Sequence, residues 1–100
     1  MLILTFRRSE RAFINEHTIL TFAEKDHQHN ARITIKGPQL DYNQWLTIGD
    51  TLTLETLPLT IVLLERNSRH QIRIGFDAPD NIIILREKVY LRNRQKRLAA

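Results

Sequence analysis

Residues 32–36 set Arg32, Thr34 and Lys36 against Ile33 and Ile35, a period of two that suits a half-buried strand and no helix. The alternation recurs in Thr51-Leu52-Thr53-Leu54-Glu55 and Ile72-Arg73-Ile74-Gly75-Phe76, and β-formers fill residues 2–6, 12–14, 18–22, 59–64 and 82–85. Polar or Gly/Pro stretches separate them, at residues 25–30, at Gly37-Pro38 and at residues 78–81. Only from Glu87 onward does the chain combine good helix formers with an absence of Gly and Pro, and its arginines then suit the negative end of a helix dipole. A chain of 100 residues patterned in this way is mainly β: a small sandwich or barrel of antiparallel strands in one domain, with one C-terminal α-helix.

Two of the strand pairs resemble each other. Thr18-Ile19-Leu20 leads through a polar loop to Arg32-Ile33-Thr34-Ile35-Lys36-Gly37-Pro38, and Thr60-Ile61-Val62 leads likewise to Arg73-Ile74-Gly75-Phe76-Asp77-Ala78-Pro79. Both close on Arg-Ile-x-apolar-x-small-Pro, and the spans differ in length by one residue. Two unrelated amphipathic hairpins would share the alternation, but the common Arg-Ile and Pro spacing favours duplication, with repeats at 1–45 and 46–100.

The net charge of +4 is unevenly placed. Residues 1–11 carry Arg7, Arg8 and Arg11 against Glu10, and residues 86–100 carry Arg86, Lys88, Arg92, Arg94, Lys96 and Arg97 against Glu87. These ends are +2 and +5, so the intervening chain is −3. A fold that brings the ends together makes a basic patch attractive to polyanions. A solvated surface with a basic helix is the plainer alternative. The apolar start stops at Arg7-Arg8, short of a signal-peptide core, and residues 52–64 are too short for a bilayer span. The expectation is a soluble, cytoplasmic protein with no membrane association.

Chemistry-bearing clusters are sparse. The absence of cysteine excludes a disulfide scaffold, a thiolate zinc site and a cysteine nucleophile. His27-Gln28-His29 has no third ligand at a convincing spacing, so His17, His27, His29 and His70 read as solvated and no metal or other cofactor is expected. Ser9 and Ser68 lie in polar turns without nucleophile-elbow glycines, and the acids are scattered. No catalytic residue is expected, and binding is the better reading. Arg7-Arg8 follows the first strand and Arg86 the last, and strand-end arginines beside exposed backbone groups can grip phosphates and hydrogen-bond base edges.

Several of these motifs together resemble the carbon storage regulator (CsrA/RsmA) family. Met1-Leu2-Ile3-Leu4-Thr5 with Arg7-Arg8 is similar to that family's opening, with Phe6 interposed; Gln71 to Pro79 resembles its Gln-Val-Arg-Ile-Gly-Val-x-Ala-Pro; Arg86-Glu87-Lys88-Val89-Tyr90 resembles its Arg-Glu-Glu-Ile-Tyr; Ile48-Gly49-Asp50 resembles its Ile-Gly-Asp turn. The resemblance implies an RNA-binding post-transcriptional regulator. Its partners would be GGA-containing stem-loops in an mRNA 5′ leader or a regulatory small RNA, with effects on translation or message stability. It implies an RNA site joining the first and last strands through Leu4, Thr5, Arg7 or Arg8, Ala78, Pro79, Ile84 and Arg86. Leu85 stands where the family commonly has histidine, and Phe6 shifts the arginine pair by one residue.

The chain is longer than members of that family commonly are, and two arrangements accommodate the surplus. In one, residues 39–45 form the last strand of a first copy, a second copy starts near Leu46, and the chain is a single-chain pseudo-dimer with one intact RNA site. In the other, the surplus is an insertion after the second strand of an ordinary swapped homodimer. A further alternative is a divergent interaction module that dimerises with, or antagonises, a regular family member without reading RNA.

Overall fold

The computed structural model describes residues 1–65 and 70–99, the side chains of 96–99 aside, so Ser68 and the side chains of Lys96 and Arg97 lie outside the described residues. Its elements in order are β1 (Leu2–Arg7), β2 (Arg11–Ile14), β3 (Thr18–Lys25), β4 (Ala31–Gly37), β5 (Leu40–Leu46), β6 (Thr51–Thr53), β7 (Thr60–Leu64), β8 (Gln71–Asp77), β9 (Ile84–Arg86) and α1 (Glu87–Ala99). The chain is mainly β with one C-terminal helix, as the alternation requires. Only Ile84 and Leu85 of the apolar run 82–85 join a strand; Ile82 instead closes a turn by donating its N–H to the Pro79 carbonyl.

The strands make two antiparallel sheets, ordered β1-β8-β7-β6 and β5-β4-β3-β2-β9. Strand alternation sends one set of side chains between them: Phe6, Ile61, Leu63, Ile72, Ile74 and Phe76 from the first sheet; Ala12, Ile14, Leu20, Phe22, Ile33, Ile35 and Leu46 from the second. Each large aliphatic or aromatic group buried here contributes about 1.5–3 kcal/mol. Phe6, the residue interposed before the arginine pair, is such a group, 2% exposed and 6.4 Å from the Phe76 ring. Its core position turns Arg7 to the outer face of the first sheet and leaves Arg8 in the following turn.

The two sheets are built alike. In each, three consecutive strands form a meander, and the edge beside the last of the three is taken by the opening strand of the other half: β1 on β8, and β5 on β4. The turns that follow β1 and β5 repeat each other bond for bond. Glu10 N–H donates to Arg7 O as Asp50 N–H does to Thr47 O, both at 2.9 Å. The Arg7 N–H is capped by Glu10 Oε1 as the Thr47 N–H is by Asp50 Oδ2. Ser9 (φ 72°) donates to Phe22 O, and Gly49 (φ 93°) donates to Leu63 O, both at 2.7 Å.

This layout moves the boundary drawn at 45/46. Residues 40–46 do form a strand, but Pro38-Gln39 is a two-residue connection, which forces β5 into an antiparallel hairpin with β4. β5 therefore occupies the position of an opening strand, and the two halves of the layout meet between β4 and β5. The pairing of Thr18-Ile19-Leu20 with Thr60-Ile61-Val62 also shifts. Leu20 faces Ile35 and Ile61 faces Phe76, so Leu20 corresponds to Ile61, because a one-residue slip would carry the inward set to solvent.

Candidate functional site

At one seam of the sandwich the edge strands β1 and β9 come together. β9 pairs with β2 in the register Ala12↔Arg86 and Ile14↔Ile84, which turns Arg86 and Ile84 toward the side of β2 that faces the opposite sheet. From there Arg86 Nη1 donates a 2.8 Å hydrogen bond to the Thr5 carbonyl. That carbonyl is free to accept because antiparallel ladders bond through alternate residues, leaving the backbone groups of Ile3, Thr5 and Arg7 on the edge of β1 away from β8. The Arg7 groups are used by Glu10, so the open edge consists of Ile3 and the Thr5 N–H.

Beside this seam lies a half-open groove of about 310 Å³, lined by Met1, Leu2, Phe76, Ala78, Pro79, Ile82 and Ile84 together with two carboxylates, Asp77 and Asp80. Ala78, Ile84 and Leu4 are half-buried and pack on the core. Of the residues expected from sequence, the structure thus gathers Ala78, Pro79 and Ile84 in one groove and couples Thr5 to Arg86 directly. Arg7 and Arg8 stand at the far end of β1, about 17 Å along the strand from Leu2. Both side chains are exposed and have no carboxylate partner among the described residues. Met1, Leu2 and Ile82 also line the groove; exposed apolar residues at the chain's start are the signal for the first two, and Ile82 has none beyond its place in the apolar run 82–85. Arg73 was also passed over as a site residue. It faces Thr5 in the β1–β8 register and puts a further cation beside the β1 edge.

The segment after Pro79 is held in place by side-chain contacts. Asn15, in the left-handed region at φ 55°, donates its N–H to Ile83 O at 2.7 Å and accepts the Ile83 N–H on Oδ1 at 3.0 Å. Glu87 pairs with Arg11, and Tyr90 stacks on Phe13 with ring centroids 4.0 Å apart and planes 10° apart. Together these fix the entry to β9 and the first turn of α1.

The second seam differs. Matching the register through Arg32-Ile33 and Arg73-Ile74 sets Trp45 in the place of Thr5, Gln44 in that of Leu4, and Thr47-Ile48 in those of Arg7-Arg8. Among the described residues no strand pairs with β6 as β9 pairs with β2. The counterpart of Asn15 is Glu55, followed by Pro58, two residues that discourage strand addition at an edge. Among the described residues the Arg7-Arg8 pair and Arg86 therefore have no equivalents there, and Arg32, which faces Trp45 as Arg73 faces Thr5, is engaged by Glu24 and Asn43.

No cluster of three or more His, Cys, Asp or Glu able to hold a metal occurs among the described residues, nor does a helix long and apolar enough to cross a membrane. The loop bearing His27 and His29 is organised by Asp26. Desolvation raises the Asp26 pKa, but hydrogen bonds from Asn30 and Gln28 and the charge of His27 outweigh it and hold the carboxyl below its ordinary value. No family model, curated protein or solved structure matches the chain.

Proposed function

We propose that the chain is an RNA-binding post-transcriptional regulator that reads GGA-containing hairpins at the β1–β9 seam. The observation that carries this reading is the Arg86–Thr5 contact. It sets a guanidinium suited to a phosphate beside a free strand edge and the Ala78-Pro79-Ile84 groove, whose carboxylates Asp77 and Asp80 can accept hydrogen bonds from the amino and imino groups of an unstacked guanine. Arg7, Arg8 and Arg73 supply the surrounding positive field. Sequence is read by edge groups and the groove, and affinity comes from the cations.

Fluorescence anisotropy with a GGA-loop hairpin and a scrambled-loop hairpin at fixed salt tests this. The GGA hairpin is expected to bind more tightly. Arg86→Ala is expected to weaken that binding about 10- to 150-fold, the range for losing a charged hydrogen bond. Equal affinity for both hairpins reduces the protein to a general polyanion binder and refutes the proposal.

One observation favours a second reading, in which the chain pairs with a short regular family member instead of RNA: the uncovered β6 edge. It predicts a mixed dimer in native mass spectrometry, and a chain that stays alone in such a mixture excludes it.

A further inference from the structure

α1 starts at Glu87, the residue after Arg86, so no linker separates the helix from the seam. Its first turn is anchored, through Glu87 on Arg11 and Tyr90 on Phe13, and every residue from Leu91 to Gln95 is exposed. A helix of this kind is ordinarily stabilised by an apolar face or by ion pairs along its surface. Beyond its first turn, α1 has neither among the described residues. Its one acid, Glu87, is engaged by Arg11, and Lys88, Arg92 and Arg94 have no acidic partner among the described residues. Lys88 and Arg92 are four residues apart, so they lie on one stripe about 6 Å apart, opposite the Tyr90 face that rests on the sheet. Like charges at that spacing repel and weaken the helix, a cost that a bound polyanion would remove. Arg94 projects differently, lining a groove with Asn15, His17 and Tyr90.

We infer that the Lys88–Arg92 stripe is a sequence-blind phosphate-binding arm that tracks the RNA backbone flanking the segment held at the β1–β9 seam. This rests on the RNA-binding reading and divides the labour within it: the seam selects, the helix adds affinity. RNA is favoured over a membrane because, among the described exposed residues of α1, Leu91 is the one large apolar side chain and makes no face to bury in lipid. It is favoured over an acidic protein because a guanidinium-lined seam begins one residue away.

The test is the salt dependence of hairpin binding. Lys88→Gln with Arg92→Gln leaves the anchoring residues intact and keeps good helix formers. The double variant is expected to flatten the slope of log K against log salt by about 1.4, at about 0.7 per lost single-strand phosphate contact. The ratio of GGA to scrambled affinity is expected to stay as in the wild type. Arg94→Gln, the loss of a single charge off the stripe, is expected to leave the slope unchanged. Circular dichroism verifies that α1 is retained. A wild type that binds neither hairpin overturns both this assignment and the RNA reading. A wild type that selects GGA, with an unaltered slope in the double variant, overturns the helix assignment alone, as does a fall in the selectivity ratio. Binding to phosphatidylserine vesicles that the double variant loses, with the RNA slope unaltered, also overturns it and assigns the stripe to a lipid surface.

Discussion

Arg86 Nη1 reaches the Thr5 carbonyl at 2.8 Å, joining the edge strand of one sheet to the edge strand of the other. The contact crosses 81 positions of sequence and uses a backbone acceptor that the β1–β8 ladder leaves free. A carbonyl needs only one donor, whereas recognition of a phosphate or base edge profits from the planar fork. Arg86→Ala is therefore expected to lower the thermal midpoint by up to about 5 °C, from a hydrogen bond worth about 1 kcal/mol or less. Arg86→Lys is expected to recover most of the midpoint but little of the GGA affinity. Calorimetry and anisotropy on both variants separate the structural role from the binding role.

The parts of this arrangement legible in the sequence are those set by local alternation. Ile33 and Ile35, and Ile72, Ile74 and Phe76, announce their strands and their inward faces. β5 is harder to read, because Asp41, Asn43 and Gln44 break any apolar rhythm, and its partner follows from the two-residue Pro38-Gln39 connection. The bulge between Phe22 and Glu24, which brings Glu24 beside Arg32 to form an ion pair at 3.1 Å, leaves no local signature either. The exchange of β1 onto β8 is non-local and cannot be deduced from either strand alone. For the site, Arg86 follows from its place after the last strand, Thr5, Ala78, Pro79 and Ile84 from motif resemblance, while Met1, Leu2, Ile82 and Arg73 depend on the placement of β1 beside β8 and the groove.

Two glycines on corresponding strands respond differently to a methyl group. A Cβ on Gly37 would stand 2.6 Å from Thr18 Oγ1 and 3.0 Å from the His17 carbonyl, in the turn that leads into β3. Thr18 is buried, so neither it nor the backbone can yield cheaply. A Cβ on Gly75 would meet chiefly the Met1 Sδ at 2.5 Å, the end of a flexible side chain, with Val62 Cγ1 at 3.0 Å. Gly37→Ala is expected to cost about 1–3 kcal/mol and Gly75→Ala less than about 1 kcal/mol, measured by urea denaturation.

Asn15 holds the entry to β9 through two hydrogen bonds to Ile83 while accepting a left-handed backbone conformation. Asn15→Ala loses the Oδ1 acceptor and places a less suitable residue at positive φ, for an expected cost of about 1–3 kcal/mol. Asn15→Gly loses the acceptor but relaxes the backbone, and is expected to be the milder change. In both variants the Ile83 amide should lose protection from hydrogen exchange, and RNA affinity should fall with the loosening of Arg86.

Asp26 makes the β3–β4 loop sensitive to acid. Because its carboxyl is held below the ordinary value, its contribution to stability is complete above the unfolded-state pKa and disappears as pH falls through the lower folded value. The Asp26 carboxyl carbon and the Asn30 amide are expected to titrate together, with a midpoint below that of an ordinary aspartate. Nuclear magnetic resonance titration checks this, and Asp26→Asn should abolish the transition at Asn30.

On the proposed RNA-binding reading, the number of sites follows from the difference between the two seams. Each half contributes its opening strand to the other half's meander within one chain, so both exchanges are complete without a partner. At the β1 seam the cations and Arg86 are present. At the β5 seam Trp45 and Thr47-Ile48 occupy the register positions of Thr5 and Arg7-Arg8, and among the described residues no strand follows on β6. Light scattering is therefore expected to give a particle near 11.8 kDa, and titration at concentrations well above Kd is expected to break at one hairpin per chain. Trp45, about half exposed at 48%, supplies an independent reporter of the second seam. Its fluorescence should stay unchanged as the first hairpin binds. A break at two hairpins, or quenching of Trp45 in step with binding, would show that the β5 seam also takes RNA.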